Sequence, residues 1–284
     1  MIILAIYGYS FEYDGKSSED FGVTMCTSGP IDNVPLGLTR EAIKGENTNH
    51  RPVANFYGIK YSDVLSFEIT ITKLNDGAFS RNEVREINTW LTSPRSPSVL
   101  SINDDEFDLV DYYGLFTGVE NTYASGIAML TYTFQTNAPY AWSKIQKFDF
   151  ECTGDTEVKC INDTDEIYDY VYPDLTITST SGSEISIINK SELSMDEKKM
   201  SFTFPDGITT IYIDTKFHKV YYLIGGKQIM LTFDQLGINT EEIDKSGILS
   251  LYWLRLVPGK NVINIKGNCT LTISYRSPRK VGAY

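Results

Sequence analysis

Apolar and polar residues alternate along most of this chain, and in its first half one segment alone takes up the period of a helix. From Tyr61 to Lys73, Leu65, Phe67, Ile69 and Ile71 fall on one side, with Ser66, Glu68, Thr70 and Thr72 on the other. Such alternation marks a half-buried strand. Ile2 to Tyr13 also reads as a strand, Asp14-Gly15-Lys16 as a turn, and Phe21 to Met25 as a short extended piece. Residues 28–52 hold Gly29, Pro30, Pro35, Gly37, Gly45 and Pro52 with little periodicity. A long irregular segment of this kind usually carries function or grips a neighbour.

The helix is announced by AFSRNEVREINTWLTSP. Ser80 can cap it, and Glu83 can reach back as the second half of a capping box. Phe79 and Val84 stand at the two positions of a hydrophobic staple. Val84, Ile87 and Leu91 then recur at helical spacing, and Pro94 and Pro97 stop the run. A hairpin follows, from Val99-Leu100-Ser101-Ile102 through Asn103-Asp104-Asp105 to Phe107-Asp108-Leu109-Val110. Leu115 to Val119 and Ile127 to Phe134 add two strands.

A boundary falls near Trp142 to Gln146, dividing the chain into residues 1–144 and 145–284. Residues 149–174 carry nine acids against one base, Lys159. Short, evenly spaced strands follow: Leu175–Thr178, Glu184–Asn189, Met200–Phe204, Thr209–Asp214, Lys219–Leu223, Lys227–Leu231, Leu249–Leu256, Asn261–Lys266 and Thr270–Tyr275. Turns such as Pro205-Asp206-Gly207 and Gly225-Gly226 separate them. Many short strands with regular turn signals predict an antiparallel sandwich or barrel. The fold class is mainly β.

Length and charge sharpen this picture. A chain of 284 residues suits about two domains. The net charge of −12 argues against nucleic-acid binding, which needs clustered cations. Residues 1–9, MIILAIYGY, are too short for a membrane span and lack the basic start of a signal peptide, so no membrane insertion is expected. Cys26, Cys152, Cys160 and Cys269 follow neither a zinc pattern nor a disulfide framework. Free buried thiols are the expectation, with a Cys152–Cys160 bridge as an unsupported alternative.

Catalytic motifs are wanting. The two histidines, His50 and His218, sit in no metal or triad pattern, and no G-x-S-x-G exists to host a nucleophile. The acid run Asn103–Asp108 lacks the glycine and final glutamate of a calcium loop and reads as a solvated turn. Gly259-Lys260 lacks the earlier glycine and the following Ser or Thr of a Walker loop, and precedes a strand where that loop needs a helix. It reads as a hairpin corner. No catalytic residue, metal or cofactor is expected. In LYWLRLVPG, Trp253 and Arg255 fall on one face of a predicted strand, where they can contact a sugar or another subunit. Tyr252, Leu254 and Leu256 then fill the core face.

FEYDGKSSEDFGV (11–23), the helix ending EINTWLTSP (86–94) with its hairpin, and YTFQTNAPYAWS (132–143) come in a particular order. TTIYIDTKFHKVYY (209–222) and LVPGKNVINIKGNCTLTISYR (256–276) follow. Together they resemble the distal tail protein (Dit) family of long-tailed bacteriophages, siphophage tail-hub components. The resemblance spans nearly the whole chain. It implies an N-terminal β-sandwich-type domain (1–144) with one α-helix and a β-hairpin, which forms a ring and carries a "belt" that grips the next subunit. It implies a galectin-like antiparallel β-sandwich at 145–284. The function implied is a non-enzymatic hexameric hub in the virion. It would join the tail tube protein to tape-measure, tail-tip, lysin-type or receptor-binding proteins, with DNA passing through its lumen unbound. Synthesis would be in the host bacterial cytoplasm. A carbohydrate-binding module for host glycans, using Trp253 and Arg255, is the alternative.

Overall fold

Alternation of side chains dictates nearly everything in the structure, a computed structural model that describes residues 9–26, 39–45, 56–61, 63–75, 77–103, 110–124, 127–192, 199–232, 234–237 and 252–281. The apolar start before Tyr9, most of segment 28–52 with His50, and the acid run after Asn103 lie outside the described residues. So do residues 249–251 of an expected strand. The chain divides into two compact units: one runs to Lys144 and regains Pro278 onward, and the other is Ile145–Ser277.

The first unit contains β1 (Ser10–Tyr13), β2 (Lys16–Ser17), β3 (Val23–Met25), β4 (Arg40–Lys44), β5 (Phe56–Tyr61) and β6 (Ser66–Lys73). After them come α1 (Arg81–Thr92), β7 (Ser98–Asn103), β8 (Val110–Ala124), β9 (Ile127–Thr136) and β10 (Ala141–Ser143). One antiparallel sheet runs in the order β2-β1-β7-β8-β9-β6-β3. β3 at one end reaches back to the residue before β1 near the other, because Tyr9 and Met25 exchange backbone hydrogen bonds of 3.3 and 2.8 Å. The sandwich-like layers therefore come from one sheet curling back on itself. β10 lies against β8, and Pro278–Arg279 pairs with β10.

The helix forms as its signals require. Ser80 and Glu83 complete both halves of the capping box. Lys73 donates to Glu83 at 2.8 Å, and the Ser80 N–H does so at 2.6 Å. The Lys73 bond, followed by the bonds from Ser80, lowers the Glu83 carboxyl to about 2. Ile87, Trp90 and Leu91 are buried, and Phe79 and Val84 pack against the same core. Trp90 lies between Phe11 and Phe21, with ring centroids at 5.4 and 4.3 Å, and its indole N–H donates to the Tyr13 carbonyl at 2.9 Å. The inward set on β6, Phe67, Ile69 and Ile71, is the one its alternation names.

Where β8 crosses β9, the backbones come very close. A Cβ on Gly114 would stand 2.2 Å from the Gln135 carbonyl oxygen. Backbone cannot yield as a flexible side chain can, so this position admits glycine alone.

The second unit holds β11 (Gln146–Cys152), β12 (Asp155–Asn162), β13 (Asp174–Thr178), β14 (Glu184–Asn189), β15 (Met200–Thr203) and β16 (Thr210–Asp214). β17 (Lys219–Ile224), β18 (Lys227–Met230), β19 (Gly259–Lys266) and β20 (Cys269–Tyr275) complete it. They form two antiparallel sheets, β11-β20-β13-β16-β17-β18 and β12-β19-β14-β15. Leu175, Ile177, Ile211 and Ile273 from the first meet Ile185, Phe202, Ile263 and Ile265 from the second in one apolar core. Gly225 and Gly226, both at positive φ (56° and 78°), turn β17 into β18 as a two-residue hairpin.

Two expectations need correction. Residues 252–256, read as the end of a strand, join no sheet and make one isolated bridge, Leu256 to Val171. Segment 28–52 is not wholly irregular, because Arg40–Lys44 is a strand paired with β5.

Gly114→Ala should destabilise the first unit by roughly 3 kcal/mol, the upper range for overpacking, read as a lower urea midpoint. Glu83 has a depressed folded pKa, so its contribution is present above its ordinary 4.5 and lost as pH falls toward about 2. Glu83→Gln should therefore flatten the acid side of the thermal-stability profile between those pH values.

Candidate interaction surfaces

Among the described residues, no three His, Cys, Asp or Glu side chains gather where they could hold a metal ion. Two surfaces are distinctive instead, one in each unit.

In the first unit, β4 and β5 pair with each other and form a separate two-stranded sheet. Arg40 to Ala42 lie opposite Tyr61 to Ile59, and the register slips between Ile43 and Lys44. Glu41 and Lys60 make an exposed ion pair at 3.0 Å. The hairpin is tied at its base, where Tyr61 meets Tyr140 edge-on at 6.3 Å and Tyr140 meets Trp142 at 5.3 Å. Beyond the base it exposes large apolar groups. Ile43, Phe56, Tyr57 and Ile59 keep 42, 62, 67 and 52% of their surface open. A lone two-stranded hairpin is marginal in water, and clustered exposed apolar side chains mark a surface meant to be covered.

In the second unit, Tyr252, Leu254 and Leu256 enter the core, as their alternation predicts, without a neighbouring strand to hold them. Three fully buried asparagines supply the missing bonds. Asn162 donates to the carbonyls of Leu256 and Val257 at 3.2 and 3.3 Å. Asn189 donates to the Arg255 carbonyl and to Asn261, both at 2.8 Å. Asn261 accepts from the Val257 N–H at 2.9 Å and donates to the carbonyls of Val257 and Gly259 at 2.8 and 3.0 Å. Every donor and acceptor of the Asn261 amide is thus engaged. Gly259 stands at φ 86° in open space, a plain turn glycine at the corner that precedes Lys260.

This frame fixes Trp253 and Arg255. Arg255 donates twice to Oε1 of Glu192, through Nε at 2.6 Å and through Nη2. The Glu192 carboxylate is 2% exposed. Arg255 also lies over the Tyr170 ring at 4.0 Å, and the Glu192 bond raises its pKa further above the ordinary guanidinium range. The Tyr252 hydroxyl donates to Glu192 Oε2 at 3.3 Å, and burial pushes it up to about 12. Trp253 stacks on His218 at 5.0 Å. His218 sits at the β16–β17 tip with φ 56°, an uncommon conformation for a non-glycine residue. One face of Trp253 is thereby covered and the Arg255 head is committed. Glu192, Tyr170 and His218, which complete this cluster, carried no sequence signal, since they come together only through the fold.

Arg255→Ala leaves Glu192 buried without its cation and should lower the stability of the second unit by roughly 3 kcal/mol, the scale for a broken buried pair. Adding Glu192→Leu should recover most of that loss, measured by urea unfolding.

Residues 6–138 match a family described as "Phage tail protein N-terminal domain", and residues 140–233 match one described as "Phage tail C-terminal domain". No curated protein sequence matches the chain. Among solved structures, the Dit protein (gp 19.1) of phage SPP1, described as a paradigm of the hub adsorption apparatus in phages infecting Gram-positive hosts, aligns with a TM-score of 0.60. Identity is 17%, over 95% of this chain and 98% of that one. A chain of the phage P2 baseplate in its activated conformation with Ca aligns with a TM-score of 0.58 at 11% identity, over 96% and 98%. With two tail-domain matches covering most of its length, the chain belongs to the phage tail proteins and carries the distal tail protein fold.

Proposed function

We propose that this protein is the distal tail hub of a long-tailed phage. Six copies would close a ring through their first units, between the tail tube above and the tape-measure and tail-tip or receptor-binding proteins below. The observation that carries the reading is the β4–β5 hairpin, whose Ile43, Phe56, Tyr57 and Ile59 have solvent where a core should be. A head-to-tail contact that seats this hairpin on the next copy buries those groups and generates a closed ring. The net charge of −12 suits a lumen through which DNA slides without adhering. The second unit, with two sheets around one core, is compatible with a galectin-like sandwich, and fold alone confers no sugar binding. The glycan-binding alternative has less support, because Trp253 is covered on one face by His218 and Arg255 is tied to Glu192. The role is structural and virion-borne, not catalytic.

Light scattering of the purified chain should give the mass of six subunits, and electron micrographs should show rings. Ile59→Asp together with Phe56→Ser should yield monomers whose unfolding midpoint stays within a few degrees of the monomeric parent, because both residues lie outside either core. A strictly monomeric wild type at high concentration, with no ring in virions, would sink this reading.

A further inference from the structure

Two of the four buried thiols face each other. Cys152, the last residue of β11, is the cross-strand partner of Cys269, the first residue of β20, and both belong to the core of the second unit. Residues directly opposite on antiparallel strands have Cα atoms about 4.5–5.5 Å apart. That lies within the ~4.4–6.8 Å that a disulfide spans. Cys160, nearer in sequence, stands on β12 in the other sheet, opposite Asn261. β11 is an edge strand, and the pair sits at its end beside the β11–β12 and β19–β20 turns, which are tied to each other by the bonds Gly267 N–H to the Gly154 carbonyl and Gly154 N–H to the Asn268 side chain. An edge strand end opens locally at low cost. While the edge is closed, burial raises the Cys152 thiol and pushes Cys269 up to about 12, so neither is a ready nucleophile.

We propose that Cys152 and Cys269 form an oxidation site that closes into a cross-strand disulfide when the protein passes from a reducing compartment to an oxidising one. Only the timing rests on the virion reading; the site does not. The oxidant class is a small-molecule disulfide. On fraying, the Cys152 thiol gives its proton to water, and its thiolate attacks one sulfur of the oxidant, expelling one small thiolate. The Cys269 thiolate then displaces the second. Two protein thiols lose two electrons and two protons, and the small disulfide is reduced to two thiols. The bond would join the first strand of the unit to its last and close a loop spanning nearly the whole unit, the case in which a cross-link most restricts the unfolded chain.

Purified full-length chain, incubated with excess oxidised glutathione both in the native state and during refolding from urea, provides the test. Thiols titrated in denaturant should fall from the four present to two. Peptide mapping should join Cys152 to Cys269, and the unfolding midpoint should rise by about 5 °C or more. Cys160→Ser should leave the linkage intact, whereas Cys269→Ser should abolish it. Four free thiols by both routes, or a linkage through Cys26 or Cys160, overturns the site. A bond that forms in the purified chain and is missing from peptides of intact virions overturns the timing alone.

Discussion

The second unit depends on three asparagine amides that do the work of a missing strand. Residues 252–257 run along the core with a single backbone bridge, Leu256 to Val171, and a backbone buried there needs its other polar groups satisfied. Asn162, Asn189 and Asn261, from β12, β14 and β19, reach four of its backbone groups between them. Leu254 and Leu256 can enter the core because those bonds hold the segment against it. Buried polar networks of this kind are costly if half satisfied and specify one arrangement when complete. The placement of Trp253 and Arg255 follows from them at one remove, as does the burial of Glu192.

The first unit solves a different problem. A single sheet of antiparallel strands leaves two edges and one wet face, and it meets both needs by curling until Tyr9 reaches Met25 and by closing over Trp90. The β4–β5 hairpin stays uncovered on Ile43, Phe56, Tyr57 and Ile59.

Much of this was legible in sequence. The capping box at Ser80, the alternation on β6 and most of the short strands from Leu175 to Tyr275 obey local rules that tertiary context did not override. Two strands hid in the acid-rich stretch. β11 alternates Lys147, Asp149 and Glu151 outward with Phe148, Phe150 and Cys152 inward, and the acids masked a period of two. β12 is harder, because its inward set is Val158, Cys160 and Asn162 and its outward set includes Ile161. Residues 252–256 misled for the opposite reason. They alternate perfectly, yet alternation reports only burial of one face, and side-chain amides supplied the bonds that a neighbouring strand would have made. The partners of Arg255 and Trp253 were invisible, since Glu192 and His218 lie far away in sequence.

The pairing of Pro278–Arg279 with β10 makes the second unit an insertion in the first. A ribosome releases the chain from its N-terminal end, so every strand of the inserted unit has emerged before the first unit receives its last one. The inserted unit can reach its final form early, while the host unit must wait with one edge open. Order of synthesis thus delays completion of the first unit until all of the second has been released.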